Sequence, residues 1–182
     1  MNGIVIYQSR YGAAKQYAEW MADALNIPAQ STDQINKARL AACDYVIAGS
    51  SIYIGKILIK DWLAKNSDAL QGKKLFLFIV GAAPPTAKEK TEKYFTDNIP
   101  LELLAHSSHF YLQGETIYKQ LNLSDKILLR MGALFAKGAD KKEMLTDLDA
   151  LRKENLSKLL SEVRKLETPK VGIGKSLVYH PA

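Results

Sequence analysis

Apolar positions along this chain fall into two patterns that take turns. Short unbroken apolar runs are followed by longer stretches in which apolar residues recur every three or four positions. The first pattern belongs to strands buried on both faces, and the second to helices with one buried side. "GIVIY" (3–7) reads as the first strand. The stretch from Ala14 to Leu25 then places Ala14, Tyr17, Ala18, Met21, Ala22 and Leu25 on one helical side. A weak strand at 27–35 and a short helix follow, and "YVIAGSSIY" (45–53) is the third strand. Residues 56–70 predict a helix, "KKLFLFIVGAAPPT" (73–86) a deeply buried strand, and 86–99 a polar surface helix. Residues 102–115 supply a fifth strand, with Phe110, Tyr111 and Leu112 as its core; helices at 124–137 and about 145–167 close the body.

Five such strands alternating with helices predict an α/β fold: an open parallel sheet with helices on both faces. One body spans 1–167, and 168–182 form a tail with Pro and Gly punctuation. Ligands of open parallel sheets sit beyond the carboxyl ends of the strands, where strand order switches. Three strand-end loops therefore carry the candidate chemistry.

The first is "QSRYGAAK". A helix N-terminus presents unpaired amides and a partial positive charge, which suits an anion. Ser9, Arg10, Tyr11, Gly12, Ala13, Ala14 and Lys15 are its residues, with Gly12 allowing close backbone approach. An ordinary strand-to-helix turn capped by Ser9 competes at even weight. The loop is neither a Walker loop nor the G-x-G-x-x-G dinucleotide turn. In the second, Ser51, Ile52, Tyr53, Ile54 and Gly55 offer an apolar and aromatic wall for a flat ring, against the plainer reading of core packing. In the third, Gly81, Ala82 and Ala83 leave room for a planar group before Pro84 and Pro85 stiffen the exit; a simple strand-ending turn is the alternative.

Composition adds limits. The chain has 182 residues, 47% apolar and 24% charged, with a net charge of +6. Cys43 is its lone cysteine, so no internal disulfide exists. With three scattered histidines, no metal site is expected; His106 and His109 would point to opposite faces of a strand. No secretory leader or membrane span is read, and the cytoplasm is the expected compartment. Between 119 and 142, Lys119, Lys126, Arg130, Lys137, Lys141 and Lys142 outnumber Asp125 and Asp140. Ser124 and Gly138 read as the ends of a helix whose apolar side carries Ile127, Met131, Leu134 and Phe135. Either that side covers the sheet edge, the favoured reading, or the helix lies peripherally on the inner face of a membrane. Nucleic-acid binding is disfavoured, because the basic residues do not interleave with aromatics on a recognisable module.

Over residues 3–167 the layout resembles the flavodoxin-domain family, and within it the menaquinone-dependent protoporphyrinogen oxidase group. "SRYGAA" (9–14) matches the family's S/T-x-x-G-x-T phosphate loop at Ser9 and Gly12, "GSSIYIGK" matches its second loop, and residues 114–142 resemble its insertion after the fifth strand. The resemblance implies non-covalent FMN, with phosphate in the first loop, the ring between the second and third, and a contact from Gln113 and Gly114. It implies an FMN-dependent oxidoreductase working between a reduced substrate, such as protoporphyrinogen, and a quinone-like acceptor. The flavin supplies the redox chemistry, so no catalytic side chain is assigned. Ala14 stands where the family usually carries Thr. A hydrogen bond to a charged group contributes roughly 1.5–3 kcal/mol, so an uncompensated loss weakens binding by about tenfold to over a hundredfold. An electron carrier, or a domain that has lost FMN and serves as a binding module, are the alternatives. Flavodoxin carriers tend to be acidic, which the predicted pI near 9.2 opposes.

Overall fold

The computed structural model describes residues 1–116, 121–135 and 147–166. Strand β1 (Gly3–Gln8) leads into helix α1 (Ala13–Leu25), β2 (Ala29–Ser31), α2 (Lys37–Ala41) and β3 (Tyr45–Tyr53). Then come β4 (Lys56–Ile57), α3 (Lys60–Lys65), α4 (Ser67–Leu70), β5 (Lys74–Gly81), α5 (Lys88–Thr96), α6 (Leu101–Ala105) and β6 (Ser107–Gln113). Strand β7 (Glu115–Thr116), α7 (Leu123–Phe135), β8 (Leu148–Asp149), a 3₁₀ turn at Lys153–Leu156 and α8 (Ser157–Arg164) complete the described chain.

The five main strands are parallel in the order β2-β1-β3-β5-β6. The chain first builds outward from β1 to β2, then crosses back to β3, so the switch point lies between β1 and β3. Alternation along each strand sorts side chains to two cores. Val5, Ile47, Phe76, Phe78, Val80, Phe110 and Leu112 face Ala14, Tyr17, Ala18 and Met21 of α1 and Leu159 and Val163 of α8. Ile4, Ile6, Val46, Ala48, Leu75, Leu77 and Ile79 face Leu63, Leu70, Phe95 and Leu103. Each fully buried Leu, Ile or Phe contributes roughly 1.5–3 kcal/mol. A sheet covered on both sides is thus the direct product of strands apolar at every position.

Four local expectations need correction. Lys56 and Ile57 do not begin a helix: Ile54 (φ 50°) and Gly55 (φ 72°) turn the chain, and Lys56–Ile57 pairs antiparallel with Ile52 and Tyr53. The fifth strand starts only at Ser107, because Pro100 opens the short helix α6 through the strong helix formers "LELLA". The final helix starts at Ser157, after β8 pairs with β7. Asn122, not Ser124, caps α7: its Oδ1 accepts from Asp125 N–H at 2.8 Å. The expected helix stop at Gly138 and the tail 168–182 lie outside the described residues.

Candidate functional site

The three inspected loops belong to β1, β3 and β5, which are neighbours in the sheet, so they emerge side by side at its carboxyl end. In the first, the chain leaves β1 and turns at Gly12, whose φ of 98° is left-handed and favours glycine. A Cβ at Gly12 would meet nothing within 4 Å, so the turn opens into free space. Ser9 Oγ accepts the Gly12 N–H at 3.1 Å. Helix α1 has no side-chain cap and no acid in its first turn. Its leading amides, Ala13 to Lys15, are left without intrahelical partners, at the positive end of the helix. These are the donor set and the room that a phosphate needs.

Ala14 and Lys15 do not point into this turn. Ala14 is fully buried with Tyr17 and Ala18, so only its backbone faces the turn. Lys15 Nζ lies 3.7 Å from Glu19 on the exposed side of α1. In the second loop, Ile52 packs on the core beside Gly81, whereas Ile54 sits at the hairpin tip and is 61% exposed. A β-branched residue at positive φ is strained, and here no packing holds it. In the third loop Ala83 is buried, and a Cβ on Gly81 would come within 2.6 Å of the Tyr111 hydroxyl and 2.7 Å of Ile52 Cδ1. Gly114 N–H donates to Gly81 O at 2.8 Å, and Gln113 O accepts from the Tyr17 hydroxyl at 2.7 Å. Gln113 and Gly114 therefore flank the third loop.

The tightest cluster centres on a residue that sequence reasoning had treated only as a helix-start acid. Asp125, buried at the first turn of α7, receives Arg10 Nε at 3.1 Å and Arg10 Nη2 at 3.4 Å. The Tyr53 hydroxyl donates to its Oδ1 at 2.6 Å and the Tyr11 hydroxyl to its Oδ2. The Arg10 guanidinium also sits 4.2 Å from the centre of the Tyr53 ring. Asn122 N–H adds a contact to the Tyr11 hydroxyl at 3.4 Å. Burial alone would raise the Asp125 carboxyl, but the hydrogen bonds from Tyr11, Tyr53 and Arg10, with the Arg10 charge, hold it below the usual carboxylate range. The same hydrogen bond to Asp125, followed by burial, pushes the Tyr53 phenol up. The Asp125 cluster ties the first two loops to the helix inserted after the fifth strand. Nothing in the spacing of residues 115 positions apart signals this pairing.

Other features stay apart from this end. A cavity of about 560 Å³ lies at the amino ends of β5 and β6, between Lys73, Lys74, Glu102 and His106, far from the three loops. His106 ends α6 outside the strand, and His109 Nε2 is 3.0 Å from Glu92. Among the described residues no His, Cys, Asp and Glu group is arranged to hold a metal ion. Also among them, no helix is long and apolar enough to cross a membrane.

The family described as Flavodoxin domain matches residues 4–143. In structure, the chain is similar to a flavodoxin from the domain Archaea, at 17% identity and TM-score 0.43, over 90% of this chain and 99% of that one. It is similar to the flavodoxin of Streptococcus pneumonia TIGR4, at 12% identity and TM-score 0.42, over 89% and 99%. Oxidised Flavodoxin 2 from Bacillus cereus gives 15% identity and TM-score 0.42, over 90% and 99%. No curated protein matches the sequence.

Proposed function

Because the chain belongs to the flavodoxin-domain family, we propose that it is an FMN-dependent oxidoreductase, moving electrons between a reduced substrate and a quinone-like acceptor. The FMN itself follows from the family and from the fit of the first loop: an uncapped helix start with no first-turn acid, opening on free space. The first-turn amides of α1, Ala13 to Lys15, would hold the phosphate, with Gly12 leaving it room and Ser9 beside them. Ile52, Tyr53, Gly81 and the Gln113–Gly114 corner would bound the ring. When bound, the flavin accepts and donates the electrons.

One observation carries the enzyme reading: α7 is pinned over the strand ends by Asp125 through Arg10, Tyr11 and Tyr53. A carrier needs its cofactor edge open to a protein partner. An added helix at that edge instead builds a wall for a second small molecule and excludes water from it. Protoporphyrinogen is the substrate the family resemblance suggests. The carrier reading has its own support, since the cluster around Asp125 is fully paired and contains no acid–base pair facing free space.

The test is a visible spectrum of the purified protein with FMN titration, followed by assays with a soluble menaquinone analogue and protoporphyrinogen. FMN binding with turnover supports the proposal. FMN binding with two resolved one-electron potentials and no turnover favours the carrier. A protein that takes up no FMN overturns both.

A further inference from the structure

Helix α7 is amphipathic the wrong way round for a helix of a water-soluble body. Its inner side carries buried Asp125 and buried Ala133. Its outer side carries Leu123 (74% exposed), Ile127 (51%), Met131 (54%) and Leu134 (76%), with Leu128 at the margin. The expectation that this apolar side covers the sheet edge is therefore corrected: the edge-facing side is the one with the carboxylate. The reason is local. The Arg10, Tyr11 and Tyr53 donors hold Asp125 inward, and at 100° per residue that turns positions 123, 127, 131 and 134 to solvent.

We infer that this outer face of α7 docks on an anionic lipid bilayer. Charge chooses the partner. Asp125 is the lone acid of α7, and it is turned inward against Arg10. The described outer half of the helix thus presents no acid, while Lys126 and Arg130 border the aliphatic row along one edge, on a chain of net charge +6. Aliphatic side chains rimmed by basic ones are the composition of helices that lie in the headgroup plane. Docking in this pose would hold the loops at Arg10 and Tyr53 beneath α7, one helix diameter (~10 Å) from the lipid, because Asp125 touches both from the inner side. The inference goes beyond the redox reading and stands whether or not FMN binds.

The experiment is co-sedimentation of the full chain with extruded phosphatidylglycerol–phosphatidylcholine vesicles, against pure phosphatidylcholine vesicles, at low and high salt. Wild type is expected to bind the anionic vesicles, more weakly at high salt, and to bind the neutral vesicles poorly. The double variant Ile127→Gln, Leu134→Gln removes two exposed apolar side chains without touching the inner contacts, and circular dichroism checks its fold. It is expected to bind about tenfold or more weakly. Lys126→Gln, Arg130→Gln is expected to lose most of the salt dependence. Wild type that stays in the supernatant, or a Gln variant that binds as well as wild type, overturns the inference. So does a wild-type dimer in sedimentation velocity that the Ile127→Gln, Leu134→Gln change dissolves, since a second copy would then cover the face.

Discussion

Arg10 and Asp125 lie 115 positions apart in the chain and meet at 3.1 Å, joining the turn after the first strand to the first turn of α7. The pair is half in water on one side: Arg10 is 39% exposed and Asp125 only 5%. Its strength therefore comes from the set of donors around one carboxylate rather than from a single ion pair.

That set gives a pH signature. The Asp125 carboxyl is lower in the folded protein than in the unfolded chain. Its stabilisation is thus fully present above the unfolded carboxylate value, about 3.9, and is lost as pH falls through the lower folded value. Asp125→Asn is expected to lower the urea midpoint at neutral pH, and the gap from wild type should shrink in acid. A gap that stays constant down to the acid transition would count against the cluster.

Tyr17 tests the link between α1, the end of β6 and the 3₁₀ turn. Its buried hydroxyl donates to Gln113 O at 2.7 Å and accepts from Asn155 Nδ2 at 2.6 Å. Tyr17→Phe leaves both partners short of a bond and is expected to cost about 1–2 kcal/mol in urea denaturation, with an unchanged m-value. A neutral substitution would mean that water replaces the hydroxyl.

Ile54 is held at φ 50° with its side chain in solvent. Ile54→Gly is expected to raise stability by about 0.5–1 kcal/mol, since relief of the left-handed strain outweighs the added chain entropy. FMN affinity is expected to fall at the same time, because glycine removes the exposed side chain that the tip of the second loop offers to the ring. Calorimetry with and without FMN reads both. A variant that loses stability and keeps its affinity would refute the assignment of Ile54 to the ring wall.

Two glycines at the site fail for different reasons. At Gly12 a methyl group finds open space, so Gly12→Ala costs only backbone strain, about 1–2 kcal/mol. At Gly81 it collides with Ile52 and Tyr111, so Gly81→Ala costs about 1–3 kcal/mol by overpacking. Truncating Ile52 to Val is expected to recover part of the Gly81→Ala loss and none of the Gly12→Ala loss. Equal rescue in both backgrounds would show that Gly81 is not crowded.

The sequence by itself determined the alternation of strands and helices, the five-stranded parallel sheet and the end of it where the three candidate loops emerge. Continuous apolar runs such as "LFLFIV" can be satisfied only between two helical layers, and that is a local property of the run. Gly12 and the start of α1 were legible for the same reason, since turn geometry and free helix amides depend on neighbours in the chain. The hairpin at Ile54–Gly55 was not, because an isoleucine at positive φ is stabilised by strand pairing that no local preference favours. Nor was the orientation of α7. Its periodicity placed Ile127, Met131 and Leu134 on one side, as a buried side would be. Only the folded chain brings Arg10, Tyr11 and Tyr53 beneath that helix, and a carboxylate with four donors outweighs an aliphatic row in deciding which side faces in.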